Sequence, residues 1–296
     1  MLSILIPTYN YNVFPLVNEI HKQFSKLEIP FEIRVYEDGS DIDFETRKFL
    51  EDFDRVYYKK FNKRQGRTKM RHLLAEEAKY PRLLFLDADV FPKNRFFAAK
   101  LIKELENFPS QVYFGGITVA PSPPSPSKIL RWKYGKERES LPLEIRKKHP
   151  YKSLISGALL IEKNTFLPVS NKIKDLNKYG LDIYFSYLLK QEKAKVRHYD
   201  NPVMHLGLED SEVFLKKTEK AVETLYFLIK TKKIPVNYSK LGEKYNQIKK
   251  AGLCGLSRFF YKIFKKACYK NLLSNHPSLY IFDLYKLCYF CTISKK

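Results

Sequence analysis

The sequence lacks an apolar run long enough to cross a membrane. Its best candidate, the stretch 279–293, is interrupted by Asp283 and Lys286, whereas a spanning helix needs roughly 18 apolar residues or more. Residues 1–7 have neither a basic segment before the apolar residues nor a small-residue cleavage site, so we expect no signal peptide. These absences predict a cytoplasmic protein without membrane spans.

Cysteine is also scarce, with four residues that all lie beyond position 250: Cys254, Cys268, Cys288 and Cys291. The last two form a C-x-x-C motif. A zinc site would need a second pair or histidines at ligand spacing, and a redox motif would open a helix after a strand. Neither context is present, so we expect ordinary reduced thiols, as is usual in the cytosol.

Acidic residues are outnumbered, with 32 Asp and Glu against 54 Lys and Arg and a net charge of +22. The stretch 211–296 holds 18 basic and 5 acidic residues. Such a charge attracts nucleic acid, anionic lipid or phosphorylated small molecules. Because most of the excess lies in this stretch, we divide the chain into a first domain, 1–210, and a helical, basic, aromatic-rich region, 211–296.

Strand and helix patterns alternate through the first half of the chain. Apolar runs predict strands, and apolar residues at helical spacing predict helices between them. The predicted strands are 2–6, 31–36, 55–59, 82–86 and 154–161. The predicted helices are 13–24, 43–53, 68–79, 94–108 and 181–189. This alternation predicts an α/β fold with an open, mostly parallel sheet flanked by helices.

The sharpest chemical signal is Asp87-Ala88-Asp89, directly after the apolar strand 82–86. Ligands of open α/β sheets bind beyond the carboxyl ends of the strands. Carboxylates at i and i+2 of an extended segment project to the same side and repel unless a cation lies between them. Hard divalent ions that hold phosphate oxygens prefer such ligands. The alternative is a pair of turn or helix-capping aspartates.

Four segments together resemble the family 2 glycosyltransferases of the GT-A fold in order and spacing, over residues 1–210. They are Ser-Ile-Leu-Ile-Pro-Thr-Tyr-Asn at 3–10, Glu-Asp-Gly-Ser at 37–40, the segment 66–71 before a helix, and Leu-Phe-Leu-Asp-Ala-Asp at 84–89. The resemblance implies an inverting transfer of sugar from a nucleoside-diphosphate donor, with UDP expected, to a hydroxyl of a glycan or lipid-linked acceptor. It also implies a role in cell-surface polysaccharide synthesis.

The same resemblance implies a set of donor-site residues. Those expected to bind the nucleotide are Pro7, Thr8, Tyr9, Asp38, Arg71 and Asp87, and those expected to bind Mn²⁺ or Mg²⁺ are Asp89 and His205. Two alternatives stay open, namely that Asp38 is a plain turn residue and that His205 is a core histidine. At position 72 the family usually has asparagine and this chain has His72.

On the acceptor side, the resemblance implies that Asp182 is the catalytic base, although Leu181 stands where the family usually has glutamate. Asp182 could instead cap a helix. Gly157 would allow close approach of the sugar. Trp132, the only tryptophan, could stack on sugar or pack in the core. Processive family members carry Gln-x-x-Arg-Trp downstream of the base and have membrane spans, and the upstream Trp132 therefore predicts a non-processive enzyme.

The segment 258–270 alternates basic and aromatic residues. It could bind an anionic membrane surface, which would make the protein peripheral on the inner face of the membrane, or pack its aromatics on the catalytic domain. Two rival functions remain. A nucleic-acid-binding protein would fit the charge, but the sequence has no recognition motif for one. A catalytically degenerate scaffold would fit His72 and Leu181, but Asp38, Asp89 and Asp182 are all present.

Overall fold

The computed structural model describes residues 1–42 and 45–295. The chain divides into two compact units. The first unit contains Met1–Val119, Glu139–Asn177 and Leu188–Gly207, and the second contains Ala120–Arg138, Lys178–Tyr187 and the chain from Leu208 onward. All described strands fall in the first unit, so the candidate donor-site residues that follow strands also lie there.

The described strands form two sheets. They are β1 (Leu2–Thr8), β2 (Phe31–Asp38), β3 (Val56–Phe61), β4 (Arg82–Leu86), β5 (Val90–Pro92), β6 (Val112–Phe114), β7 (Ile117–Thr118), β8 (Ala158–Glu162), β9 (Val196–His198) and β10 (Val203–His205). Seven of them form a sheet in the order β3-β2-β1-β4-β8-β6-β9, and the other three form a sheet in the order β5-β10-β7.

The large sheet is mostly parallel. β1 lies parallel to β2 and β4, β2 to β3, and β6 to β9, whereas β8 runs antiparallel to both β4 and β6. In the centre, Leu5 pairs with Arg34 on one side and with Phe85 on the other. Leu83–Leu86 are all buried, as expected for a strand covered on both faces. The predicted α/β fold is therefore confirmed.

The helices in chain order are α1 (Phe14–Phe24), α2 (Arg67–Glu77), α3 (Phe97–Asn107), α4 (Ile129–Tyr134), α5 (Leu143–Lys148), α6 (Lys163–Asn171), α7 (Asp182–Gln191), α8 (Ser211–Lys230), α9 (Lys240–Lys250), α10 (Cys254–Leu272) and α11 (Leu279–Ile293). In the first unit, α1 packs on α3 and β2, and α2 packs on α6, β1 and β2. The buried face of α1 carries Leu16, Val17, Ile20 and Phe24, and each large apolar side chain contributes about 1.5–3 kcal/mol when buried.

Two elements differ from their predictions. Of the predicted helix 43–53, residues 43–44 lie outside the described residues, and Glu45–Leu50 forms a short 3-10 helix. The predicted strand 154–161 begins only at Ala158, because the preceding residues form a turn. The segment 111–119 forms the two short strands β6 and β7, since Gly115 and Gly116 interrupt it. Gly116 has φ +104°, a left-handed value that favours glycine.

The second unit is helical. α11 packs against α8, α9 and α10, and α4 packs against α8. An apolar cluster contributed by these helices is buried. Its members are Leu130, Phe214, Leu215, Leu272, Leu279, Phe282 and Tyr285. The predicted helical C-terminal extension is confirmed. Within the described residues, no helix has the length and apolar character needed to span a bilayer.

Candidate donor site

The loop after β1 is fastened to the loop after β2. The Asn10 side-chain oxygen accepts hydrogen bonds from the backbone N–H groups of Asp41 (2.9 Å) and Ile42 (3.2 Å), and Asn10 donates its own N–H to the Ser40 hydroxyl (2.8 Å). Tyr9 is 37% exposed, and the Arg64 guanidinium lies 4.2 Å from its ring centre. The exposed ring of Tyr9 next to a cation provides a flat surface on which a base could stack.

Asp38 connects the end of β2 to the segment before α2. Its carboxylate accepts hydrogen bonds from the backbone N–H groups of Gln65 and Gly66, the latter at 3.0 Å. The neighbouring Glu37 is buried and accepts a hydrogen bond from the Tyr58 hydroxyl at 3.1 Å. Because an ionised carboxylate has about four acceptor positions, Asp38 can fix this segment and still accept a hydrogen bond from a nucleotide.

Asp87 is held by two arginines of α2. Arg67 donates to one carboxylate oxygen of Asp87 at 2.7 Å, and Arg71 donates to the other. Arg71, which is buried, also donates to the Ser156 carbonyl at 3.3 Å. A Cβ atom added at Gly157 would lie 2.7 Å from the Asp87 carboxylate. Glycine at position 157 therefore leaves room for Asp87 in this arrangement.

Asp89 pairs with His205. The imidazole Nε2 of His205 lies 3.1 Å from Oδ2 of Asp89, because β10 pairs antiparallel with β5 and places His205 opposite Val90. The Leu206 N–H donates to the Asp89 carbonyl at 2.8 Å. A Cβ atom added at Gly207 would lie 2.4 Å from the Asp89 carboxylate, so this close approach also depends on glycine.

Opposing effects act on the acidity of Asp89. Burial raises its pKa, but the hydrogen bond and charge of His205 and the charge of Arg67 lower it more, and the net pKa lies below the usual value. In turn, burial and the charge of Asp89 raise the pKa of Tyr11. Asp89 is thus an ionised ligand candidate in a partly desolvated position.

The expectation that Asp87 and Asp89 lie in an extended segment is wrong. Residues 87–89 form a turn between β4 and β5, in which the Val90 N–H donates to the Asp87 carbonyl at 3.3 Å. The two carboxylates therefore have different partners. Asp87 is compensated by arginines, whereas Asp89 is associated with an imidazole.

The pair Asp89 and His205 fits a divalent ion. The two side chains form a hydrogen bond at 3.1 Å, and their carboxylate oxygen and imidazole nitrogen are atom types that also bind divalent ions. Within the described residues no group of three or more His, Cys, Asp or Glu side chains could enclose a metal. An ion with two protein ligands takes its remaining oxygens from water and phosphate, as Mg²⁺ usually does.

A buried arginine organises the strands that lead to His205. Arg146 of α5 donates hydrogen bonds to the carbonyls of Phe114 (3.0 Å), Gly115 (3.3 Å), Tyr199 (3.0 Å) and Leu141 (3.1 Å). Phe114 and Tyr199 lie at the ends of β6 and β9, from which the chain continues into β7 and β10. Arg146 therefore positions the small sheet that carries His205.

Sequence reasoning missed several of these contacts. Arg67 could have been a solvated charge, but it lies four residues before Arg71, and this spacing places both side chains on one face of a helix. Gly207 and Tyr11 had no local signal, because their role depends on contacts made in the folded chain.

His72 is buried between helices, with Nδ1 3.1 Å from the Ser170 hydroxyl and Nε2 3.2 Å from the Lys174 amine.

The predicted residues Pro7 and Thr8 are the last two residues of β1, whereas Asp182 and Trp132 lie in the second unit. Asp182 is exposed and is the first residue of α7, after Gly180 with φ +87° and the buried Leu181. The indole N–H of Trp132 donates to the Ala120 carbonyl at 2.8 Å, and the Lys136 amine lies 4.8 Å from its ring centre. The acceptor-side roles of these two residues stay predictions.

Comparison with solved structures shows the fold in other proteins. TarS of S. aureus, residues 1–349 in complex with UDP, matches with a TM-score of 0.50 and 15% identity over 100% of this chain and 92% of that one. The mannosyltransferase PcManGT from Pyrobaculum calidifontis, in complex with GDP-Man and Mn²⁺, matches with 0.51 and 13% over 77% and 64%. Mannosyl-3-phosphoglycerate synthase from Rubrobacter xylanophilus matches with 0.54 and 10% over 78% and 74%.

At these identities the likeness concerns the fold alone. The match to another TarS structure spans only 39% of that chain. No curated protein sequence matches the chain significantly. The model of the family described as glycosyl transferase family 2 matches residues 3–158, which is more than half of the sequence and includes β1 to β4, the turn 87–89 and Gly157. The chain therefore belongs to glycosyl transferase family 2.

Proposed function

We propose that the chain is a metal-dependent, inverting glycosyltransferase that moves a sugar from a nucleoside-diphosphate donor, with UDP as the expected nucleotide, to a hydroxyl of a glycan or lipid-linked acceptor. The observation that carries the proposal is the pair of Asp89 and His205, which lies directly after the strand and turn that position Asp87 against two arginines. A carboxylate, an imidazole and two arginines at one edge of an α/β sheet suit a diphosphate and its counterion.

Donor binding uses the loops after β1 and β2 and the first turns of α2. Tyr9 offers its ring to the base, and the Asp38 carboxylate offers an acceptor for a pyrimidine N–H. Arg67 and Arg71 carry two positive charges against the negative charges of the Asp87 and Asp89 carboxylates. A cation held by Asp89 and His205 would therefore leave net attraction for a phosphate. TarS and the mannosyltransferase, whose structures hold UDP and GDP-Man with Mn²⁺, support a nucleotide in this type of fold.

Asp89 and His205 would hold Mn²⁺ or Mg²⁺, and such an ion acts as a Lewis acid that neutralises charge on a departing diphosphate. The protein's own groups prepare the pair for this role. The lowered pKa of Asp89 keeps its carboxylate ionised, and Gly207 lets the backbone approach it closely. The hydrogen bonds of Arg146 to the ends of β6 and β9 fix the strands that lead to the His205 imidazole.

In the transfer step, Asp182 accepts the proton of the acceptor hydroxyl while that oxygen forms a bond to the anomeric carbon of the donor sugar. The bond from this carbon to the diphosphate oxygen breaks at the same time, and the nucleoside diphosphate leaves with the electron pair. A single displacement inverts the anomeric configuration. We further propose one sugar per encounter, and a role in cell-surface polysaccharide synthesis, both of which rest on the resemblance.

Calorimetric titration of the full chain with UDP, with and without Mn²⁺, tests the donor site. We expect metal-dependent binding that Asp89→Asn and His205→Ala each weaken by roughly a hundredfold or more, since even outer-shell partners of a metal contribute ten- to hundredfold. Asp52→Asn removes an exposed carboxylate of the same unit and should bind as the wild type does. Equal binding with EDTA and with Mn²⁺ would refute the metal site.

A second measurement separates donor binding from catalysis. Release of UDP from UDP-sugars in the presence of candidate acceptors should fall by more than a hundredfold in Asp182→Asn, as expected for a general base, while UDP affinity stays unchanged. If UDP, GDP, CDP and dTDP all fail to bind at any metal concentration, the proposal is wrong and the chain is a degenerate scaffold.

A further inference from the structure

The helix α10 presents a row of apolar side chains to solvent. Leu256, Phe259 and Ile263 are 64%, 62% and 52% exposed, and their spacing places them on one face of the helix. Phe264 borders this row and is 44% exposed. Single exposed apolar residues are common on proteins, but a contiguous row rimmed by polar groups marks a binding surface.

The opposite face of α10 is the one that packs in the unit. The ring of Tyr261 lies 5.5 Å from that of Tyr285 on α11, and the ring of Tyr269 lies 6.2 Å from it. Leu272 is fully buried in the cluster between these helices. Intramolecular packing therefore uses one face of α10, and the row of Leu256, Phe259 and Ile263 points away from it.

Positive charge flanks the exposed row. Lys262, Lys266 and Lys270 follow one another at intervals of four residues and are exposed, so they form a second row along the helix. No acidic residue occurs between positions 244 and 282 of the sequence, a stretch that holds eight Lys and Arg. An apolar row beside a basic row is the arrangement of helices that lie in the interface of an anionic bilayer.

A second copy of the chain fits this face less well. A two-fold symmetric contact would bring the same surface of both copies together, and the three lysines of each helix would then approach those of its partner. An anionic lipid surface instead attracts the lysines while its acyl region accepts the apolar side chains. Charge complementarity therefore favours lipid.

We propose that the outer face of α10, made of Leu256, Phe259 and Ile263 together with Lys262, Lys266 and Lys270, docks the protein on the surface of an anionic bilayer. The helix would lie parallel to the membrane plane, with the apolar side chains in the boundary between headgroups and acyl chains. This inference concerns the second unit alone and does not depend on the donor-site proposal.

Sedimentation of the full chain with vesicles tests the docking. We use vesicles of phosphatidylglycerol and phosphatidylcholine in equal amounts, and vesicles of phosphatidylcholine alone. The wild type should bind the anionic vesicles and not the neutral ones, and salt should weaken binding. The triple variant Lys262→Gln, Lys266→Gln and Lys270→Gln should bind roughly a hundredfold more weakly, because each surface lysine contributes roughly fivefold.

A matched variant, Lys60→Gln, Lys100→Gln and Lys103→Gln, removes three exposed lysines from the first unit and the same net charge. It should retain most of the affinity. Equal losses in the two triple variants would mean that only net charge matters, and would overturn the assignment to α10.

The apolar row is tested by Phe259→Ser with Ile263→Ser. Because both side chains are exposed, the fold should persist, which far-UV circular dichroism and Trp132 fluorescence can verify. Binding to anionic vesicles should fall by roughly a hundredfold or more through loss of apolar burial, whereas Phe96→Ser with Ile145→Ser, which removes exposed apolar side chains elsewhere, should bind normally. Unchanged vesicle binding in the α10 variant, or conversion of a dimer to a monomer without loss of vesicle binding, would refute the proposal.

Discussion

Replacement of Arg146 by methionine tests whether this side chain fixes the ends of β6 and β9, which lead to His205. The guanidinium is buried, with 3% of the residue exposed, and donates to four carbonyls from three separate stretches of chain. Methionine fills a similar volume but donates no hydrogen bond. The variant therefore removes the cross-link and leaves much of the packing.

The expected magnitude follows from the partners. Four hydrogen bonds from a charged group at about 1.5–3 kcal/mol each would sum to roughly 6–12 kcal/mol. This sum is too large, because the variant also removes the cost of burying the cation. In addition, the Phe114 and Gly115 carbonyls each keep a backbone donor, from Tyr199 and Asn201 at 3.2 and 3.1 Å. We expect a net loss of about 3–5 kcal/mol in the free energy of unfolding.

Urea denaturation followed by far-UV circular dichroism measures this loss. Arg146→Lys should fall between the wild type and Arg146→Met, because one ammonium group cannot replace a five-donor fork. Arg95→Met, at an exposed position of the same unit, should change stability by about 0.5 kcal/mol or less. A loss below about 1 kcal/mol in Arg146→Met would refute the view that a buried charge holds the strand ends together.

Three further perturbations have defined outcomes. Gly157→Ala should lower the free energy of unfolding by about 1–3 kcal/mol through overpacking. It should also weaken UDP binding, because the new Cβ would displace the Asp87 carboxylate. An unchanged melting temperature together with an unchanged affinity for UDP would contradict this. Burial raises the pKa of Cys288 to about 11 and that of Cys291 to about 12. At pH 8, therefore, roughly a thousandth or less of either thiol is ionised. Neither cysteine should react with a thiol reagent until the protein is denatured. Burial lowers the pKa of His72 despite the opposing charge of its neighbouring glutamate, so the folded state favours the neutral imidazole. As the pH drops below about 6.5, the free energy of unfolding of the wild type should therefore fall relative to that of His72→Asn. Parallel pH profiles of the two proteins would count against this.

The periodic elements were predictable because their patterns are local. The strand 82–86 matches β4 residue for residue, and the segment 13–24 differs from α1 by one residue. An uninterrupted apolar run bounded by charged or turn residues fits few alternative assignments of secondary structure. The parallel arrangement of β1 to β4 followed from the alternation of strands and helices, since a parallel pair needs a crossover between its strands.

The rest of the site depends on contacts between distant residues. The three-residue strands β5 and β10 are too short to show a period, yet their pairing brings Asp89 and His205 together across 116 positions of sequence. The turn at 87–89 similarly could not be distinguished from an extended end of β4. Sequence therefore identified both carboxylates, and their separate partners became visible only in the folded chain.

The long separation of Asp89 from His205 also has a consequence for synthesis of the protein. β1 to β4 are complete by residue 86 and can pair early, but a growing chain that ends before residue 205 lacks the His205 imidazole that pairs with the Asp89 carboxylate. Closure of the small sheet must wait until β10 has left the ribosome. A cation bound by this pair would therefore favour completed chains over nascent or truncated ones, and would stabilise the last strand to join the first unit.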